Sequence, residues 1–278
     1  MGKIGSIKDI QIDFDVEPLR CGIPSIERNL YLRRGHGDLF VLAARSGVGK
    51  SALANQIAIE TAGREEGTVL YFTFELTPEE LKKRGISYFS GVAPNKLNVL
   101  SKKALRDAEQ KLCSRDLAYV KEARNVKELV TMVEEFGFES KVSLVVVDHL
   151  QATPALQDGG SRKPSRKDVV GQAVFDLKNM AKKLKVPVLA LAQASREFEY
   201  RRAQDPKAEP LMSDVSDAAD IDWWADVVTI LAPRVERSVL AAVVKNRNGR
   251  KNSFELEFDG AGSKFIDHSL AISDIKLS

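Results

Sequence analysis

Eight consecutive residues, Ala44-Arg45-Ser46-Gly47-Val48-Gly49-Lys50-Ser51, have the spacing of a loop that cradles a chain of phosphates. Glycines let several backbone N–H groups converge on phosphate oxygens, and a helix starting at the end of the loop adds its positive dipole end. Lys50 is placed to reach the β- and γ-phosphates, and the Ser51 hydroxyl to ligate Mg²⁺. The general pattern has glycine at its first position, where this chain has Ala44. Asp148 closes the run Leu144-Val145-Val146-Val147, a position from which a carboxylate holds magnesium directly or through water. A lone acid at that point reads equally as a strand terminator. Glu75 follows Tyr71-Phe72-Thr73-Phe74 and reads either as the base for an attacking water or as the cap of a helix starting at Pro78. Gln193 ends another apolar run, where a neutral donor could sense a γ-phosphate.

These groups work together only if their strands end at one edge of a sheet. Apolar runs at 39–43, 69–74, 143–147, 186–191, 227–231, 240–244 and 254–258 read as strands. Helical spacing covers 51–62, 78–89, 102–113, 126–136 and 169–184. Unbroken apolar strands such as 144–147 require burial on both faces, as in a parallel sheet between helix layers. From about Ser238 onward, Asn248-Gly249 and the glycines at 260 and 262 signal antiparallel hairpins. The expected fold is α/β, with a mostly parallel twisted sheet flanked by helices and antiparallel hairpins at the C-terminal end. Segments 155–168 and 195–213 read as mobile loops just beyond strand carboxyl ends, where open α/β sheets place ligands. The first carries Arg162, Lys163, Arg166 and Lys167, the second Arg196, Arg201, Arg202 and Lys207 among a similar number of acids.

Forty-two basic against 39 acidic residues give a formal charge of +3, so a nucleic-acid partner must be recognised by local placement and not by bulk charge. Cys21 and Cys113 lie far apart without metal-ligand spacing, and reduced thiols are expected. His36, His149 and His268 are scattered and read as structural or exposed. No apolar run reaches membrane-spanning length, so no membrane partner is expected and a cytoplasmic location is.

In order along the chain, seven segments resemble one family. They are 42–51, Phe72-Thr73-Phe74-Glu75-Leu76-Thr77, 144–151, Leu191-Ala192-Gln193-Ala194-Ser195-Arg196, Pro210-Leu211-Met212-Ser213-Asp214, Ala225-Asp226-Val227-Val228 and Lys245-Asn246-Arg247-Asn248-Gly249. Together they are similar to the C-terminal RecA-like motor domain of the DnaB-type hexameric replicative DNA helicases, in which alanine is also usual at the first loop position. The resemblance implies a RecA-like P-loop fold, with ATP and Mg²⁺ as cofactors. It implies ATP hydrolysis driving movement on single-stranded DNA by a ring of identical subunits, with a hexamer as the expected size. It makes Glu75 the catalytic base, Asp148 the magnesium carboxylate and Gln193 the γ-phosphate sensor. Lys245 and Arg247 become a pair that reaches the neighbouring subunit's nucleotide; a finger supplied in trans is worth roughly 10³–10⁵ in rate. Without the resemblance, the same pair reads as a solvated basic hairpin, with both residues on one face of a strand. The two basic loops would hold the DNA backbone through Arg162, Lys163, Arg166, Lys167, Arg196, Arg201 and Arg202. A helicase loader or primase is a further partner that the family implies.

Three departures qualify the resemblance. Only about forty residues precede the first strand, so the family's N-terminal helical domain is expected to be missing. Ser213-Asp214-Val215-Ser216-Asp217-Ala218-Ala219 lacks an arginine that the family carries there, and Trp223-Trp224 stands where the family is more polar. The expected organisation is an extension over 1–20, a motor domain over 21–270 and a tail over 271–278. The competing function is a RecA-like regulatory or recombination ATPase that binds nucleotide without unwinding.

Overall fold

The computed structural model describes residues 17–30, 32–153 and 165–269. A nine-stranded sheet has the order β3-β2-β4-β5-β1-β6-β7-β8-β9. Its first six strands are β1 (Leu39–Ala44), β2 (Thr68–Thr73), β3 (Leu117–Val120), β4 (Val142–Asp148), β5 (Val188–Gln193) and β6 (Val227–Pro233), all mutually parallel. Strands β7 (Ser238–Asn246), β8 (Ser253–Asp259) and β9 (Lys264–Ile266) continue the sheet antiparallel.

The period of two along β1 explains why the sheet needs two covers. Leu39, Val41 and Ala43 enter one core with β4 residues Val145 and Val147. Phe40, Leu42 and Ala44 enter the other with Leu144 and Val146. Helix α5 (Val126–Glu139) and helix α6 (Arg166–Leu184) cover the first face, through Leu129, Val174 and Leu177 among others. Helix α2 (Lys50–Arg64) covers the second with Leu53, Ile57 and Ala58, beside α1 (Pro24–Leu30). Each fully buried Leu, Val or Ile contributes about 1.5–3 kcal/mol relative to exposure, which makes these apolar runs decisive for the strand register.

Caps fix where the helices start. For α3 (Pro78–Ser90), Thr77 and Glu80 form a reciprocal capping box, and Pro78 occupies the first turn. Ser165 and Asp168 do the same for α6, and Ser101 caps α4 (Lys102–Cys113). The Thr77 box answers one question left by the sequence: Glu75 is not the cap of α3.

The structure corrects the reading of 195–213 as a loop. It contains helix α7 (Glu197–Gln204) and a 3-10 turn, Met212–Asp214. Helix α7 buries only Phe198, so it shows too little apolar periodicity to be seen in sequence. The edge strand β3, half-buried along its four residues, and helix α8 (Ala218–Trp224) were missed for similar reasons. Residues 154–164, with Arg162 and Lys163, lie outside the described residues. Arg166 and Lys167 stand exposed in the first turn of α6. Among the described residues, no helix is long and apolar enough to cross a membrane.

Candidate active site

Parallel pairing brings the chemical groups to one edge. Ala44 pairs with Gln193, Val147 with Ala190, and Thr73 with Asp148. The loop after β1, the end of β4, the end of β5 and the turn after β2 therefore open on the same cleft, of about 490 Å³.

Backbone conformation shapes the loop. Gly47 (φ 83°) and Gly49 (φ 103°) are left-handed, which side chains resist. A Cβ on Gly49 would also lie 2.8 Å from the Phe265 ring. Helix α2 begins at Lys50 with no side-chain cap, so its first N–H groups are left for an anion in the cleft. Arg45 reaches across the edge, donating to the Ala194 carbonyl at 3.3 Å and lying 3.4 Å from Glu199 of α7.

Asp148 is fully buried. Its Oδ2 accepts a hydrogen bond from the Tyr71 hydroxyl at 2.9 Å. Burial, reinforced by this carboxylate, pushes the Tyr71 phenol far above its ordinary range, so the phenol stays a donor. Asp148 Oδ1 accepts no hydrogen bond and lies 3.6 Å from Lys50 Nζ. A buried carboxylate oxygen without a donor is costly unless a cation completes it.

Sequence reasoning set His149 aside, and the structure places it in the site. Its Nδ1 lies 2.9 Å from Glu75 Oε2 and 4.0 Å from Asp148 Oδ1. Glu75, Asp148 and His149 each offer a donor atom, all within 4.8 Å of one another. Burial, then the charge of Lys50, lowers the His149 pKa against the opposing pull of Glu75 and Asp148, which favours the neutral ring. The available signal was adjacency: His149 is the residue after the acid that ends β4. Lys83 and Arg84 of α3, and Phe258 of β8, also line the cleft and carried no recognisable motif.

Lys245 and Arg247 lie at the other edge. Strand β7 runs against β6, pairing Asn246 with Val227 and Lys245 with Val228. Val227 pairs with Phe40, near the start of β1, whereas Ala44 at its end pairs with Leu231. Four residues of strand separate the two levels, roughly 13 Å. The pair is therefore directed away from the cleft of its own chain. Lys245 donates to the Asp222 carbonyl and Arg247 to the Trp223 carbonyl, at the end of α8. The Lys245 side chain is 15% exposed, whereas that of Arg247 is 47% exposed.

The basic residues of 196–202 divide. Arg201 is committed to Asp214, with Oδ1 and Oδ2 at 2.5 and 2.8 Å, and Arg202 donates to the Pro233 carbonyl. Arg196 is exposed.

With this geometry in place, residues 31–267 match the family model described as the DnaB-like helicase C terminal domain. The chain belongs to that family. The replicative DNA helicase DnaC of Bacillus subtilis (strain 168) is 28% identical over 246 residues, 83% of this chain and 52% of that protein. The replicative DNA helicase DnaB of Geobacillus stearothermophilus matches to the same extent, with the same 28% identity and coverage. The chain spans about half the length of these curated relatives. Among solved structures, one described as an ATPase domain superposes with a TM-score of 0.80 at 22% identity, covering 91% of this chain and 93% of that one. A DnaB-like replicative helicase described with its interactions with primase gives 0.78 at 22% identity, covering 90% and 61%. These likenesses place the fold among the RecA-like ATPase domains of DnaB-like helicases.

Proposed function

We propose that this chain is an ATP-dependent DNA helicase motor that works as a ring of its own copies on single-stranded DNA. The observation that carries this reading is the separation of the cleft from the Lys245–Arg247 pair: one chain presents a phosphate cradle at one sheet edge and two cations at the other. A ring joined head to tail sets each pair against the next cleft.

Lys50, the loop N–H groups and the uncapped start of α2 would hold the phosphates of ATP. Ser51 and Asp148 would hold Mg²⁺, and the Asp148 oxygen without a hydrogen-bond donor fits that role. A bound magnesium ion would neutralise charge on the phosphates. Glu75, half-exposed at the mouth of the cleft with His149 Nδ1 2.9 Å from its carboxylate, would take the proton of the attacking water. Gln193, one strand away from the loop, would register the γ-phosphate. In the next subunit's cleft, Lys245 and Arg247, released from the Asp222 and Trp223 carbonyls that they bond within the single chain, would meet the charge that develops during transfer. Arg166, Lys167 and Arg196 are the described residues best placed for the DNA backbone, because Arg201 and Arg202 are engaged within the protein. Primase or a loader is the further partner we propose, since one structural neighbour is described with primase.

The test is ATP turnover with and without oligo(dT), across a salt series, together with unwinding of a forked duplex. Stimulation by single strands that fades as salt rises, with unwinding in one direction, supports the proposal. Turnover indifferent to DNA, with no unwinding, supports the competing regulatory or recombination ATPase.

A further inference from the structure

Trp223 is 70% exposed on α8, an unusual position for so large an apolar side chain. Its neighbour Trp224 packs edge-on against Phe175 with ring centroids 4.8 Å apart. One tryptophan thus anchors α8 to α6 while the other is displayed outward. The displayed ring belongs to the same patch as the cation pair: Arg247 is bonded to the carbonyl of Trp223 and Lys245 to that of Asp222. The Asp222 carboxylate, with a side chain 57% exposed, lies 3.4 Å from Lys245 Nζ on this face.

The rim of the cleft has complementary chemistry. Lys83 is exposed and Arg84 half-exposed on α3, with Pro94 beside them. Cations are drawn to the face of a tryptophan ring. Lys245 and Arg247 lie against the carbonyls of Asp222 and Trp223, so a neighbouring cleft that receives the pair also meets the end of α8.

We infer that the exposed face of α8, centred on Trp223, docks on the α3 rim (Lys83, Arg84 and Pro94) of a second copy of this chain. The inference rests on the ring reading above and names the contact that holds the ring closed. Interface hot spots are typically tryptophan or arginine side chains surrounded by weaker contacts.

The test uses sedimentation velocity at saturating AMP-PNP, Mg²⁺ and oligo(dT). Trp223→Ala, a surface change checked for folding by circular dichroism, should raise the concentration for half-assembly roughly ten- to thirtyfold. Lys83→Met should raise it too, and the double variant should be less impaired than the product of the single effects, as expected for residues in contact. The chain has two tryptophans, so Trp224→Phe leaves Trp223 as the reporter. On assembly its emission should shift to the blue and acrylamide quenching should fall. Assembly of Trp223→Ala at the wild-type concentration, independent effects in the double variant, or unchanged quenching would each overturn the inference while leaving the ring reading intact. A wild-type chain that stays monomeric would overturn both.

Discussion

Lys178 Nζ lies 2.5 Å from Asp226 Oδ2 in a nearly solvent-free pocket beneath the sheet. Lys178 also donates to the Gly37 carbonyl at 3.0 Å, and Asp226 accepts from the Leu39 backbone at 2.7 Å. The Arg247 guanidinium lies 3.8 Å from the same carboxylate, and its backbone N–H donates to the Asp226 carbonyl at 2.8 Å. One buried ion pair therefore fixes the start of β1, the middle of α6 and the base of the cation pair.

Lys178→Met should be strongly destabilising, because it leaves Asp226 buried without its cation. Removing one partner of a buried pair typically costs about 3–5 kcal/mol. Thermal or urea denaturation should show that loss. Wild-type stability in Lys178→Met would contradict this role.

Glu75→Gln keeps the size of the side chain and removes the basic oxygen. The expected loss in kcat is roughly 10²–10⁴-fold, with nucleotide affinity little changed because phosphate binding falls to the loop. Single-turnover rates and nucleotide titrations separate the two. Unchanged turnover would remove Glu75 from the chemistry.

The two thiols should differ sharply. Cys21 is buried, and burial pushes its pKa from an ordinary 9.0 up to about 12; Cys113 is exposed. At pH 8, Ellman's reagent should modify one thiol in the folded protein and both in denaturant. The raised folded pKa means that the Cys21 contribution to stability is complete below pH 9 and declines as pH climbs towards 12. Rapid reaction of both thiols in the folded protein would contradict the burial of Cys21.

Residues whose burial follows from simple patterning were legible in the sequence. Leu144 to Val147 form one apolar run because both faces of β4 are covered, and Asp148 follows them to the strand end. The loop 44–51 was legible because glycine and lysine spacing reflects local backbone demands. Tertiary partners were not legible. Nothing near Arg201 in the chain signals that Asp214 takes up its charge, so the pairing of a basic residue that reads as a DNA contact came only from the structure. His149 gave no ligand spacing because Glu75 reaches it from the end of a different strand. The opposite placement of Lys245 and Arg247 follows from the antiparallel register of β7 with β6, which alternation alone cannot supply.

A working site shared between two copies is tested most directly by mixing two disabled variants. Lys50→Ala disables a subunit's own cleft and leaves its cation pair; Arg247→Ala does the reverse. Each variant alone should be nearly inactive. In an equal mixture, about a quarter of head-to-tail junctions should join an intact cleft to an intact pair, and ATP turnover should recover to that order. Mixed assemblies with no recovered turnover, or full activity of Arg247→Ala alone, would contradict the shared site.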